Sequence, residues 1–162
     1  MNDHLKNILH KVKERLEDIP NGILIGQIRK GNSTPEIEED EKYVLVEYTE
    51  FLNVCDGASL GEIDIFPLSE LSRNQFYVES LEGGKEAWLF IGLVLYEPIV
   101  ISKTSGNVYR FYRDVPTDTP EECFGSFNNF LMEYALGKKY IDIVPVDHDD
   151  EWMNLLRDLN LL

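Results

Sequence analysis

The spacing of apolar residues changes twice along this chain, and that pattern limits the folds it can adopt. Residues 3–18 carry apolar side chains at three- and four-residue steps, as in an amphipathic helix that ends before Pro20. Between about 60 and 112 the apolar residues form short runs rich in branched and aromatic side chains, which predict strands. Helical spacing returns after residue 126. Helices on both sides of a block of strands predict an α+β domain with an antiparallel sheet.

The strand block contains four predicted strands, and an earlier run could add an edge strand. The four strands are 62–66, 87–91, 97–102 and 107–112. Residues 103–106 suit a tight hairpin turn between the last two. The short run 23–28 predicts either an edge strand or a covering loop. We therefore expect a sheet of about four to six strands, flanked by N-terminal and C-terminal helices.

Three further helices follow from capping and spacing signals. Thr34 and Pro35 suit a helix start, so a long helix is predicted over about 35–54. Phe127 begins a helical pattern that ends at Gly137, and a last helix is predicted over about 149–160. The connecting predictions are a helical turn at 67–71, a loop at 82–85 and an acidic loop at 113–123.

Aromatic side chains are expected to form much of the core. The predicted core positions are Phe51, Phe66, Trp88, Phe90, Phe127 and Phe130. On strand 107–112 two orientations remain open, because side chains alternate between the faces of a sheet. Either Tyr109 and Phe111 face the core while Arg110 and Tyr112 face out, or the reverse, and the first orientation is favoured.

The length and the termini predict one cytoplasmic domain. A chain of 162 residues has the size of a single domain, and no linker or repeat divides it, so we expect one domain over 1–162. No apolar run approaches the roughly 20 residues needed to cross a bilayer. Charges such as Lys6 and Lys11 interrupt the apolar centre that a signal peptide needs. Cys55 and Cys123 are expected to be free thiols and not a disulfide.

The net charge of −15 is the strongest compositional constraint on partners. Such a charge disfavours binding to nucleic acid or to anionic membranes, and it attracts basic partners. Residues 1–30 hold six Lys or Arg against four Asp or Glu, which leaves nine against 26 in the rest of the chain. The surface that attracts a basic partner is therefore expected beyond residue 30. A general need for solubility would also explain an acidic composition.

Three blocks of sequence carry motifs that occur together in one known protein family. The first runs from Tyr48-Thr49-Glu50-Phe51-Leu52 through Asp56-Gly57 to the strand and turn at 62–71. The second is Trp88-Leu89-Phe90-Ile91-Gly92 with the strand at Gly106-Asn107-Val108-Tyr109, and the third is Ser126-Phe127-Asn128-Asn129-Phe130-Leu131. In this order the three blocks resemble the SUKH superfamily, which includes fungal cell-wall-synthesis regulators and bacterial immunity proteins. The resemblance is strongest over 35–137. The chain departs from the family where Asp56 replaces the more usual Asn, and where Tyr96-Glu97-Pro98-Ile99 replaces a Gly/Asp-rich loop.

The resemblance implies an α+β fold that has no cofactor and no catalytic machinery. In bacteria it implies an immunity protein that neutralises a secreted toxin, often a nuclease or a deaminase. The fungal relatives imply a second possibility, a regulatory interaction module with an endogenous partner. The blocks consist mainly of core positions, so no individual binding residue can be transferred.

One acidic stretch leaves a third possibility, a metal-dependent hydrolase. Its oxygen and imidazole groups are Asp142, Asp147, His148, Asp149, Asp150 and Glu151. Such ligands can hold a divalent cation, but the spacing matches no known loop. A helix start explains the same residues, because acids stabilise the positive end of a helix. No metal site and no catalytic residue is therefore predicted.

Acidic clusters are the candidate partner-binding residues. A toxin that acts on nucleic acid needs a basic cleft, which carboxylates can occupy in place of phosphates. The candidates are Glu36, Glu38, Glu39, Asp40, Glu41, Glu121, Glu122, Asp147, Asp149, Asp150 and Glu151, with Asp142 as a weaker one. The predicted partner is a basic toxin with a nuclease or deaminase domain. Homo-oligomerisation is left open.

Overall fold

The fold was analysed in a computed structural model, which describes residues 1–32, 44–112, 120 and 122–162. Within these residues the helices are α1 (Asp3–Asp18), α2 (Val46–Val54), α3 (Leu68–Asn74), α4 (Gly84–Ala87), α5 (Phe127–Asn129), α6 (Tyr140–Ile143) and α7 (Glu151–Asp158). The strands are β1 (Gly26–Ile28), β2 (Ala58–Leu60), β3 (Ile63–Ile65), β4 (Trp88–Val94), β5 (Glu97–Ser102), β6 (Asn107–Arg110) and β7 (Glu122–Ser126). Single 3₁₀ turns occur at Gly22–Leu24 and Tyr77–Ser80, and α5 continues as a π-helix over Phe130–Ala135.

The seven described strands form one antiparallel sheet in which each strand pairs with the next along the chain. The longest pairing joins β4 to β5, from Trp88 opposite Ser102 to Val94 opposite Glu97. Leu95 takes a left-handed conformation with φ of 57°, which lets a two-residue turn connect these strands. The predicted α+β class is confirmed, and the sheet has one strand more than the upper limit expected.

The main core lies between one face of the sheet and the helices. Leu5, Leu9 and Val12 of α1 are almost fully buried, as the helical spacing predicts. The chain starts this helix with Asn2, whose side chain accepts a hydrogen bond from the Leu5 amide at 2.9 Å. Phe51 of α2 meets Phe127 of α5 edge to face at 5.2 Å, which joins the two helices over the sheet.

A second apolar cluster covers the opposite face of the sheet. Its buried members are Val78, Phe90, Val100 and Phe111. Phe90 packs edge to face against Phe66 at 5.1 Å, and Trp88 packs the same way against Phe111 at 5.5 Å. The chain between β3 and β4 supplies Val78 to this layer, so β4 and β5 are covered on both faces. Phe66 and Trp88, predicted as core, are half-buried at the margin of this cluster.

The orientation of β6 corrects the expectation that one of its faces meets solvent. Tyr109 and Phe111 join the second cluster, while Arg110 points to the other side of the sheet and is only 6% exposed. Its guanidinium donates to the Ile143 carbonyl at 3.2 Å and to the Tyr112 hydroxyl at 2.6 Å. A carboxylate oxygen of Glu122 lies 2.5 Å from the same group. These contacts tie β6, β7 and the end of α6 together.

Several predicted elements are confirmed, some of them with different first or last residues. Helix α1 and strand β5 match their predicted ranges, the run 23–28 contains an edge strand, and the last helix spans Glu151–Asp158. The predicted helix 35–54 is not continuous, because Val44 and Leu45 form a turn and a bend and α2 begins at Val46. Residues 35–43 and 113–119 of the predicted segments lie outside the described residues.

Other predictions were wrong or incomplete. Glu122 and Cys123, assigned to a loop, belong to β7, where Phe124 is the single fully buried apolar side chain. The strand β2 and the helix α6 were not predicted, since each has only three or four residues. Helix α4 forms over part of the predicted loop 82–85. Within the described residues, no helix is long and apolar enough to cross a membrane.

The second cluster is expected to be essential for stability. We predict that Phe90→Ala lowers the free energy of unfolding by about 3–5 kcal/mol, because Phe90 is 4% exposed and its removal leaves a cavity. Phe76→Ala is the control, since Phe76 is 69% exposed and should change stability by less than about 0.5 kcal/mol. Urea unfolding followed by fluorescence measures both. Equal effects would contradict the assignment of Phe90 to a core.

The two cysteines are expected to differ in reactivity. Both are free; Cys55 is buried, and burial raises the pKa of its thiol to about 12, partly offset by the charge of Lys13. Cys123 is exposed on β7. We predict that a thiol reagent such as dithionitrobenzoate modifies one thiol per native chain and two in denaturant. Cys123→Ser should abolish the native reaction, and rapid native modification of that variant would show that Cys55 is accessible.

Candidate functional site

An open cleft of about 330 Å³ lies where the β2–β3 turn meets the residues before and within the start of α7. We call it the acidic cleft. Its lining residues are Leu24, Ile25, Gly61, Glu62, Tyr140, Pro145, Asp147, Asp149, Asp150, Glu151 and Trp152. Five of these eleven residues carry a carboxylate, and no lysine or arginine is among them. The cleft therefore presents concentrated negative charge to solvent.

The floor of the acidic cleft depends on close packing around Gly61. This residue has φ of +60°, and a Cβ there would lie 2.3 Å from the Tyr140 hydroxyl and 2.8 Å from the Trp152 ring. The Tyr140 hydroxyl accepts a hydrogen bond from the Glu62 amide at 2.9 Å. The Trp152 indole donates to the Ala135 carbonyl at 3.0 Å. Both aromatic side chains of the floor are thus positioned by hydrogen bonds to other elements.

Tyr140 stays neutral at the bottom of the cleft. Burial raises the pKa of its hydroxyl to about 12, and the negative charges of Asp150 and Glu62 act in the same direction. The hydrogen bond from the Glu62 amide opposes this rise. The floor therefore adds no charge of its own at neutral pH, and the cleft owes its charge to the carboxylates around it.

The C-terminal rim of the cleft consists of four acids with different roles, Asp147, Asp149, Asp150 and Glu151. Asp150 caps α7, because its side chain accepts a hydrogen bond from the Met153 amide at 2.7 Å. Asp147 accepts one from the Asp149 amide at 3.1 Å, which shapes the turn before the helix. Asp149 is 81% exposed and lies 3.0 Å from His148, and Glu151 is exposed in the first turn of α7. Of these four acids, Asp149 and Glu151 have no described hydrogen bond from a backbone amide to the carboxylate, so a partner can contact them without breaking the turn or the helix cap.

An apolar side chain stands beside these charges. Leu24 lines the cleft from the 3₁₀ turn between α1 and β1, and it is 82% exposed. Neighbouring Ile23 is 66% exposed on the same turn. Large exposed aliphatic side chains next to a charged cleft are typical of protein-binding surfaces, in which apolar contacts add to electrostatic attraction.

The structure brings together only part of the predicted acidic surface. Asp147, Asp149, Asp150 and Glu151 line the cleft. Asp142 is exposed on α6 but does not line it, and Glu122 lies on β7 against Arg110. The remaining candidates, Glu36, Glu38, Glu39, Asp40, Glu41 and Glu121, lie outside the described residues.

Three important positions of the cleft were missed by sequence reasoning. Glu62 was assigned only to a strand, Leu24 only to an apolar run, and Tyr140 to no element. Gly61-Glu62 between two short strands is a turn signal, and it could have placed that carboxylate at the end of the sheet. Nothing in the local sequence indicates that this turn meets the start of α7.

The acidic stretch does not form a metal centre in the described part of the chain. Among those residues, no group of three or more His, Cys, Asp or Glu side chains is arranged to hold a metal ion. The helix start, which also explains this stretch, is present, with Asp150 as the capping residue.

A scan against models of protein families and a search of curated proteins give no match to this chain.

The division of tasks within the rim can be tested by stability. We predict that Asp150→Ala lowers the free energy of unfolding by about 1 kcal/mol, because the Met153 amide loses its cap. Asp149→Ala is the matched control and should change stability by less than about 0.5 kcal/mol. Urea unfolding at pH 7 measures both variants. A loss for Asp149→Ala as large as that for Asp150→Ala would contradict this division.

Proposed function

We propose that this chain is a non-catalytic immunity protein that neutralises a nuclease- or deaminase-type toxin by binding it through the acidic cleft. The observation that carries this proposal is the cleft itself, with Asp149 and Glu151 exposed beside Leu24. The resemblance to the SUKH superfamily supports the same class of function. The net charge of −15 makes a basic partner the favoured one.

The inhibition needs no reaction by this protein. A toxin that cleaves or edits nucleic acid must hold phosphates in a basic cleft, and carboxylates can take their place. The rim carboxylates accelerate the encounter by attracting the basic cleft of the toxin. Leu24 then adds an apolar contact that loses water on binding, which slows dissociation. Substrate is excluded because the inhibitor occupies its binding site.

The proposal predicts that rim charges control the association rate. The test variant is Asp149→Asn with Glu151→Gln, which spares the capping residue Asp150. The matched control is Glu82→Gln with Glu86→Gln, which changes the net charge equally in the exposed chain around α4. We expect association with the toxin to slow by about tenfold in the test variant at low salt, and by less than about twofold in the control.

The partner for this measurement is obtained by affinity capture. The wild-type chain, the test variant and the control are immobilised on separate columns, and lysate of the source organism is passed over each. Recovered basic polypeptides are identified by mass spectrometry, purified and assayed for cleavage or deamination of nucleic acid. One equivalent of wild-type protein should abolish that activity. Equal association rates and equal inhibition of the toxin by all three proteins would show that the acidic cleft is not the binding site. Recovery of endogenous proteins that have no such activity would favour the regulatory module instead.

A further inference from the structure

A second groove of about 190 Å³ lies between α1 and the edge strand β1. We call it the α1–β1 groove. It is lined by Lys13, Leu16, Glu17, Ile23, Gly26, Gln27 and Ile28. Ile23 is 66% exposed at its margin, although its neighbours Leu16 and Ile28 are buried. An exposed branched side chain beside a partly apolar groove is a candidate for apolar contact with a partner.

The distribution of charge favours a second copy of this chain as the occupant. Two molecules that each carry −15 repel one another over most of their surfaces. Residues 1–30, which supply every residue of the α1–β1 groove, instead carry six Lys or Arg against four Asp or Glu. Two copies can therefore approach through this region with the least electrostatic repulsion.

Lys13 and Glu17 make the groove self-complementary. They lie one helical turn apart on α1 and both line the groove. Neither has an ion-pair partner among the described residues, and they do not pair with each other. In a two-fold interface, a residue that contacts a second residue of the other copy is matched by the reverse contact. Lys13 of each copy would then meet Glu17 of the other.

The edge strand β1 forms one wall of the groove. Gly26 and Ile28 of this strand are buried, and a Cβ on Gly26 would lie 2.7 Å from the Ser59 carbonyl oxygen, so this position has no room for a side chain. Ile23, which protrudes, is the apolar group that can enter the facing groove.

We propose that this chain forms a two-fold homodimer through the α1–β1 groove, with Ile23 of each copy packed against the groove of the other. Reciprocal Lys13–Glu17 pairs set the register of this interface. The acidic cleft borders this groove, because Leu24 lines the cleft and its neighbour Ile23 lines the groove, but the two share no lining residue. The dimer does not depend on the proposed toxin-binding function.

Sedimentation velocity over about 1–100 μM protein measures the dimer directly, since micromolar dissociation falls in this range. The wild-type chain should sediment at twice its mass of 18.7 kDa at the upper end. Ile23→Asp should remain monomeric throughout. The matched control Tyr96→Asp alters a side chain that is 79% exposed on the β4–β5 turn and should dimerise as the wild type does.

Charge reversal distinguishes the proposed ion pairs from an effect of net charge. Lys13→Glu and Glu17→Lys should each weaken dimerisation by about tenfold, because like charges then face one another. The double variant, which exchanges the two charges, should restore it to within about twofold. An effect of net charge alone would weaken the first variant and strengthen the second. A monomeric wild type, a dimer that tolerates Ile23→Asp, or a double variant without rescue would each overturn the proposal.

Discussion

The burial of β4 and β5 on both faces is the constraint on which the rest of the fold depends. Leu89 and Ile91 point into the main core, while Phe90 and Val100 point into the second cluster. A strand that is apolar on both faces needs a cover on each side, since neither face can be left in water without losing burial of about 25 cal/mol per Å². The helices α1, α2, α5 and α7 supply one cover. The chain between β3 and β4 supplies the other, and the remaining strands extend the sheet from this centre.

The elements predicted from sequence were those with a strong, repeated local pattern. Helix α1 has five buried apolar residues at helical spacing, and β5 has a run of four buried positions, so both were located correctly. Strand β7 has one fully buried apolar residue, and its pairing with β6 across residues distant in sequence is what fixes it. Arg110 is the sharpest failure, because its burial depends on Glu122 and on the Ile143 carbonyl, which no local pattern reveals.

The candidate site was predictable in composition but not in shape. The acids before α7 could be read directly from the sequence, as could the helix start that Asp150 caps. The cleft exists because the β2–β3 turn approaches those acids, and that approach requires Gly61 to pack against Tyr140 and Trp152. A contact between residues about 80 positions apart is a property of the assembled sheet. The sequence therefore shows which acidic residues the chain carries, and the fold determines which of them line the cleft.

The segment between α6 and α7 has no regular secondary structure, yet it is anchored at both ends. Arg110 binds the Ile143 carbonyl at its start, Val144 is buried, and Asp150 fixes its end. The backbone that carries its carboxylates is therefore anchored before any partner arrives, which reduces the backbone entropy lost on binding. A partner that binds the folded cleft and not the unfolded chain also stabilises the fold. Occupancy of the cleft and the thermal stability of the fold are therefore thermodynamically linked.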